Sequence, residues 1–430
     1  MDYQQFLARK ESRIDKPGRE VQPGDVHPML HDWQNELVRW AVRTGRAALW
    51  ADTGMGKTVM QLEWARMSGD RPLVAAPLAV CQQTVREAAK LGISAKYIRE
   101  MADLDADVQI HVTNYERIQG LNADTFDAFV LDESSILKQS TGATRTMLID
   151  WAADIPYKLA CSATPAPNDP EELTNQSEWL GRMQRTHMLA AYFIHDQDGW
   201  RLKGHARQPM MQWMAQWAVA LTRPSDVGGD DTGYNLPGLE VIPEIVAAEI
   251  VAEGQLFATD IGGVTGRADM RRKTLHARVE RAAKLVANDP GPWIMWCGLN
   301  SEADALAAAI PGAVNVHGSL DPDDKAKLLL GFADGDFDVL ITKPSIASQG
   351  LNYQHCHRMA FVGLGDSYEQ YYQAIRRCYR YGQTEVVRAH VIVSDLETQI
   401  ADNVRRKEKQ ANQITTELVA EMRRVREATA

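Results

Sequence analysis

The segment Ala51-Asp52-Thr53-Gly54-Met55-Gly56-Lys57-Thr58 comes after an apolar run and before a helical pattern. Small residues let successive backbone N–H groups wrap an anion, and the N-terminus of the next helix favours negative charge. A lysine and a hydroxyl closing such a loop suit a nucleoside triphosphate. Thr53, Gly54, Met55 and Gly56 would form the cradle, Lys57 would reach the β- and γ-phosphates, and Thr58 would hold Mg²⁺. The strict loop pattern begins with Gly, where this chain has Ala51. Taken alone, the stretch also reads as a Gly-rich turn. A second feature supports the phosphate reading: Phe129-Val130-Leu131-Asp132-Glu133 is an apolar run ending in two carboxylates. A strand-end acid completes a Mg²⁺ shell, which assigns Asp132 to the metal, and the adjacent Glu133 is placed to deprotonate the attacking water. Far downstream, Arg377 and Arg380 stand three apart and share a helical face. An arginine aimed at a transferring phosphoryl group is worth about 10³–10⁵ in rate. The same Arg-rich stretch also reads as a basic helix face making surface salt bridges, the role expected of Arg376.

Positioning these groups requires strands that end at a common edge. Short apolar runs at 46–51, 73–77, 110–115, 127–133 and 157–164 alternate with amphipathic segments such as 59–68 and 80–91. That alternation is the signature of a parallel sheet flanked by helices. It restarts with runs at 293–297, 313–317, 338–342, 359–362 and 389–393, separated by helical patterns at 302–310, 323–333 and 368–379. The chain is therefore read as α/β, with two parallel-sheet domains. The boundaries are a loose leader over 1–27, a first domain over 28–170, a helical insertion and linker over 171–285, a second domain over 286–395 and a C-terminal helix over 396–430. The insertion is rich in Trp and Met (Trp179, Met183, Met188, Trp200, Met210, Met211, Trp213, Met214, Trp217) and reads as a helical core subdomain rather than a ligand box. The Gly/Asp-rich stretch 228–233 reads as a hinge. Ile400, Val404, Ala411, Ile414, Leu418, Met422 and Val425 form an apolar stripe. The stripe is expected to pack on the second domain or, alternatively, on a partner.

With 430 residues, 45% of them apolar, the chain can bury two full cores, and no run approaches the roughly 18 apolar residues of a membrane helix. The polar N-terminus shows no secretory h-region. Five cysteines without a CxxC pair read as reduced thiols, and His355-Cys356-His357 lacks zinc-site spacing. The expected location is cytoplasmic, in a bacterial cell or a virus-infected host cell. A net charge of −10 argues against coating nucleic acid with the whole surface and leaves room for a local basic groove.

Further segments fall in order around these groups: Leu30-His31-Asp32-Trp33-Gln34, Pro77-Leu78, Thr113-Asn114-Tyr115-Glu116, Ser162-Ala163-Thr164-Pro165, Arg223-Pro224-Ser225-Asp226-Val227 with Leu236-Pro237, Val316-His317-Gly318-Ser319, Ser348-Gln349-Gly350-Leu351-Asn352 and Gln373-Ala374-Ile375-Arg376-Arg377-Cys378-Tyr379-Arg380-Tyr381-Gly382-Gln383. The ordered set resembles superfamily 2 helicases, and within them the Swi/Snf-type branch, in a compact prokaryotic or viral form. The resemblance covers roughly residues 28–395. It implies two RecA-like domains that hydrolyse ATP with Mg²⁺ at their interface and move along nucleic acid, most directly double-stranded DNA. It further implies that Gln34 reads adenine and that Gly350 and Gln373 join the ATP site. Pro77, Thr113 and Ser348 would face the nucleic-acid backbone, and Ser162, Ala163 and Thr164 would couple the ATP state to grip. Arg377 and Arg380 would be the functional arginines. Targeting would depend on a protein partner. An RNA helicase and an ATP-gated scaffold with weak hydrolysis share the same core. Ser134 and Ser135 replace the usual Ala and His/Asp of the acidic box, and Tyr379 stands where this branch has His.

Overall fold

Apolar runs bounded by turn residues become the strands of two parallel sheets in the computed structural model, which describes residues 15–139, 141–197, 199–246, 273–347, 352–363, 367–394, 406, 409, 413–421 and 423–424. The chain divides into two units. One comprises residues up to Asp231 together with those from 410 onward; the other comprises 232–409.

In the first unit the strands are β1 (Arg46–Ala51), β2 (Pro72–Ala76), β3 (Ala95–Tyr97), β4 (Ile110–Asn114), β5 (Ala128–Asp132) and β6 (Tyr157–Cys161). A hairpin of β7 (Phe193–Asp196) and β8 (Gly199–Leu202) comes next, and then β9 (Ala218–Leu221). The seven-stranded sheet has the order β3-β4-β2-β5-β6-β1-β9, and every pairing is parallel. Strands β2 and β4 are buried along their whole length, as a sheet covered on both faces requires. The order places β6 between β1 and β5. The loop after β1 and the acids after β5 thus sit two strand spacings apart, about 10 Å, with Ser162 between them. This is a RecA-like arrangement.

The structure corrects three sequence expectations. The leader is not loose from residue 15 onward. Arg182 Nη1 donates to the Asp15 carbonyl at 2.6 Å, Arg39 Nε to Val21 at 2.9 Å and Asn35 Nδ2 to Pro23 at 2.9 Å, while Val21 and Val26 are buried. Gly18 lies so close to the end of helix Asp32–Thr44 that an added Cβ would meet the Val42 carbonyl at 1.8 Å, so this glycine marks close packing. Residues 1–14 lie outside the described residues. Second, the expected helical linker contains four strands: the β7–β8 hairpin, β9 in the first unit's sheet and a strand over Leu239–Val246 in the second unit's sheet. β9 is a four-residue apolar run paired with β1, too short for periodicity to separate from a helix. Third, the C-terminal helical residues 413–421 pack on the first unit. Ile414 and Leu418 are buried, Glu417 accepts from Arg207, and Arg423 Nη2 donates to Ser225 O at 3.1 Å and Asp226 Oδ1 at 3.2 Å. The period of an apolar stripe does not encode which unit it covers. Ile400, Val404, Ala411, Met422 and Val425 lie outside the described residues.

The Trp/Met-rich segment is mostly core: Trp179, Met188, Met210, Met211, Trp213, Met214 and Trp217 are buried, whereas Met183 is half-buried and Trp200, on the β7–β8 hairpin, is exposed.

In the second unit the strands are β10 (Leu239–Val246), β11 (Trp293–Trp296), β12 (Val314–Val316), β13 (Val339–Thr342), β14 (Arg358–Phe361) and β15 (Val387–Ser394). Their order is β10-β15-β14-β11-β13-β12, again all parallel. One buried ion pair pins the helices to this sheet. Arg278, on helix Leu275–Asn288, donates to Glu302 Oε1 at 2.7 Å and to the Val362 carbonyl. Glu302 in turn accepts from the N–H groups of Gly298 and Leu299 at 2.8 and 2.9 Å, capping helix Asn300–Ala309. No described helix is long and apolar enough to cross a membrane.

Candidate active site

The loop after β1 turns through two left-handed glycines, Gly54 (φ 84°) and Gly56 (φ 74°), and feeds helix Lys57–Ser68. Gly56 is required on two counts: its φ disfavours a Cβ, and an added Cβ would lie 2.4 Å from Gln34 Nε2. That amide donates to the Met55 carbonyl at 3.1 Å, while Gln34 Oε1 accepts from the His31 N–H at 3.0 Å. The residue expected to read adenine is thereby fixed against the phosphate loop. Met55 is buried, and Thr53 N–H donates to Asp52 Oδ1 at 2.6 Å, which shapes the start of the loop. Lys57 Nζ lies inside the loop, 2.7 Å from Ala51 O and 3.3 Å from Asp52 O. Burial pulls its ammonium below the usual lysine range, opposed by the negative charges of Glu133, Asp52 and Asp132. Thr58 stands in the first turn of the helix, one residue on.

Asp132 closes β5 and faces this lysine. Burial raises its carboxyl, and the Lys57 charge opposes the rise. Lys57 and Asp132 both keep partial contact with solvent, which screens their attraction. Tyr115, absent from the expected site, donates its hydroxyl to the Asp132 carbonyl; burial first, and the two acids next, push its phenol well above its ordinary range. Its sequence signals are its place just after β4 and its membership of the segment Thr113-Asn114-Tyr115-Glu116. Asp132 and Thr58 offer hard oxygen donors beside a second acid, Glu133, which fits Mg²⁺.

Glu133 adopts φ 59°, ψ 59°, the one non-glycine residue with positive φ among the described residues. Its Oε1 accepts from Ser162 Oγ at 2.6 Å and from Ser135 Oγ at 3.0 Å. Ser162 also accepts from the Thr164 N–H at 3.0 Å; Ser162 and Thr164 are buried, and Ala163 is half-buried. Pro77 is buried at the start of helix Leu78–Lys90. Thr113 is fully buried with its hydroxyl donated to Ile98 O at 2.9 Å, so it shapes the edge of the sheet and does not present that hydroxyl outward.

In the second unit, helix Tyr368–Ile375 leads into the Arg-rich turn. Gln373 and Arg377 are buried; Arg377 Nε donates to Gln373 O at 3.2 Å, and the Arg377 carbonyl accepts from Tyr353 N–H at 2.9 Å. Arg380 differs: its Nε is buried with no hydrogen-bond partner, and burial lowers its guanidinium below its usual range, opposed by Cys378. Arg376 is held between the rings of Tyr372 and Tyr379, 5.0 and 5.1 Å from their centroids, which gives Tyr379 a structural part. Ser348 and Gly350 lie outside the described residues.

Residues 279–382 match the family model described as the helicase conserved C-terminal domain. The matched residues fall within the second unit. No curated protein matches the chain. Among solved structures, the chain is similar to the Sulfolobus solfataricus SWI2/SNF2 ATPase core in complex with dsDNA, at 13% identity and a TM-score of 0.45, over 87% of this chain and 90% of that one. Within the second unit, a cleft of about 390 Å³ opens at the carboxyl ends of β12 and β13, lined by Asn300, Asn315, His317, Ser319, Lys343 and Ser345. Ligands of parallel sheets bind at that edge. Of these, His317 and Ser319 belong to one of the family-like segments; Asn300, Asn315, Lys343 and Ser345 carry no spacing signal.

Proposed function

We propose that the chain is an ATP-dependent nucleic-acid motor of the superfamily 2, Swi/Snf type, acting on double-stranded DNA as a translocase or helicase. One observation carries the reading: Lys57, Asp132 and Glu133 converge at one sheet edge of the first unit, while the second unit holds Arg380 with a buried Nε that finds no partner. A guanidinium kept that way suits an anion that arrives during turnover.

In this reading the loop N–H groups and Lys57 hold the β- and γ-phosphates, and Gln34 contacts adenine. Thr58 and Asp132 oxygens would hold Mg²⁺, which would supply charge neutralisation at the phosphates. Glu133 takes the proton of the attacking water as its oxygen bonds to the γ-phosphorus and the bond to the β-phosphate oxygen breaks. Arg380, with Arg377, neutralises the charge that spreads over the γ-phosphoryl oxygens. Because the arginines belong to a different unit from the loop, hydrolysis demands that the units close. Closing and reopening once per ATP with nucleic acid spanning both would produce stepping. The polar cleft at His317, Ser319 and Lys343 and the edge carrying Ser162–Thr164 would serve as the nucleic-acid face.

ATP turnover titrated with duplex DNA, single-stranded DNA and RNA tests the proposal. Stimulation by duplex DNA is expected. Stimulation by RNA alone would replace it with an RNA helicase, and indifference to all three would replace it with an ATP-gated scaffold.

A further inference from the structure

The protein engages half of the Gln34 amide. Nε2 donates to Met55 O, and Oε1 accepts from the His31 N–H. Those two bonds fix which way round the amide lies, and they leave it one N–H and one lone pair to offer. An adenine edge presents the N7 acceptor beside the N6 amino donor and matches such an amide; a guanine edge presents two acceptors and does not. The choice between the bases therefore depends on how firmly Gln34 is framed.

The frame begins at Trp33, the preceding residue. Trp33 is buried, and its ring lies parallel to that of His31 with centroids 6.3 Å apart. The backbone of Gly229 lies against the indole, so close that an added Cβ would meet Trp33 Cδ1 at 2.8 Å and Pro224 Cβ at 2.9 Å. Gly229 closes the turn from Pro224 by donating its N–H to Pro224 O at 2.9 Å. Buried Asp226 ties this turn to the end of β9: its Oδ2 accepts from the Thr222 N–H and Oγ1, both at 2.8 Å, and from the Arg223 N–H at 3.2 Å. Arg423 then grips the turn from outside. Its Nη2 donates to Ser225 O at 3.1 Å and Asp226 Oδ1 at 3.2 Å, and its Nε to Asp226 O at 3.4 Å. One guanidinium thus spans three acceptors on two consecutive residues. Buried Ile414 and Leu418, and the pairing of Glu417 with Arg207, seat the segment that carries it on the first unit.

Resting on the reading of Gln34 as the adenine contact, we infer that Arg423 is a specificity-determining residue: it holds the 224–229 turn against Trp33 and so keeps the Gln34 amide in the orientation that accepts adenine and refuses guanine. Arg423 is a positioning residue and touches no nucleotide. Loosening it is felt at the base rather than at the phosphates, because Lys57 is held separately by the Ala51 and Asp52 carbonyls. The base preference of the first unit is then completed by a segment that the chain reaches only after traversing the second unit.

The test is a competition titration of the full chain with ATP, GTP and inorganic tripolyphosphate, each with Mg²⁺, against a fluorescent ATP analogue. Wild type, Arg423→Ala, Gly229→Ala and Arg424→Ala are compared. In Arg423→Ala, ATP affinity should fall about three- to tenfold, a part of the roughly 5- to 150-fold by which one bidentate amide contact separates bases. GTP and tripolyphosphate affinities should stay within about twofold, so the ATP-to-GTP preference shrinks. Gly229→Ala, whose Cβ presses on Trp33, should lose preference in the same direction. Arg424→Ala removes a neighbour that pairs with Glu421 at 2.8 Å and should behave as wild type. An equal loss for all three ligands in Arg423→Ala, or an unchanged preference, overturns the inference. Should Arg423→Ala melt early, Gly229→Ala must show the selective loss or the inference is wrong. A wild type that binds no ATP, or binds ATP and GTP alike, means that the reading of Gln34 has failed, and the inference falls with it. That outcome is visible before any variant is made, and it is distinct from an adenine-selective wild type whose variants keep their selectivity.

Discussion

Replacing Gly56 by alanine offers a graded perturbation of the phosphate loop whose size can be worked from two local terms. Gly56 has φ 74°, and an alanine held there costs about 1–2 kcal/mol. Its Cβ would also lie 2.4 Å from Gln34 Nε2 and displace an amide that donates to Met55 O at 3.1 Å, a bond worth about 1 kcal/mol. A loop that relaxes to escape this strain must be restored when nucleotide binds, so the cost appears in affinity. The sum, about 2–3 kcal/mol, corresponds to roughly 30- to 150-fold weaker binding. Fluorescence titration with a labelled ATP analogue measures it. Two controls separate the terms. Gly92→Ala shares the left-handed φ (64°), with nothing within 4 Å of its added Cβ and no place in the loop, and should leave nucleotide affinity unchanged. In a Gln34→Ala background the clash is gone, so Gly56→Ala should cost about 1 kcal/mol less than in wild type. Wild-type affinity in Gly56→Ala, or an equal loss in both backgrounds, would refute the reasoning.

Two further outcomes concern stability. Lys158 is buried on β6, donates to Ala153 O at 3.4 Å and Trp179 O at 3.2 Å, and burial brings its pKa to about 7. Between that value and the unfolded value near 10.4 the unfolded chain holds a proton the native chain has lost, so stability should rise by a few kcal/mol as pH increases from about 7 towards 10. Urea unfolding at pH 7 and 9.5 should show this rise in wild type and a flatter response in Lys158→Met; equal responses contradict it. Glu302→Ala removes the carboxylate paired with buried Arg278 at 2.7 Å, at a cost of about 3–5 kcal/mol, and the melting temperature should fall by roughly 6–20 °C. A melt unchanged within a degree or two would count against the pairing.

The chemistry is legible wherever it sits on a short contiguous segment. Glycine conformations, a lysine and a strand-end acid pair are local requirements, and Gly54, Gly56, Lys57 and Asp132 stand as their spacing implies. Long-range consequences are not legible. Nothing local to Thr113 announces that its hydroxyl points inward to Ile98. Nothing in the C-terminal stripe says that Arg423 will meet Asp226 nearly two hundred positions earlier. The order of the leader is hidden because Pro and Gly signal the absence of helix, and carbonyls satisfied by Arg39 and Arg182 side chains leave no trace in the leader itself. β9 is hidden because its neighbours are helical and four apolar residues have no period. The serines of the acidic box look like a defect in sequence; the structure shows Ser135 hydrogen-bonded to Glu133.

The most direct test of the proposed motor pairs two measurements on Arg380→Ala: nucleotide binding and DNA-stimulated ATP turnover. Removing a guanidinium that acts on the transition state should leave nucleotide affinity within a few-fold and lower turnover by about 10³ or more. Turnover close to wild type, or affinity and turnover falling together, would contradict a phosphate held by the Lys57 loop and completed by Arg380 of the second unit.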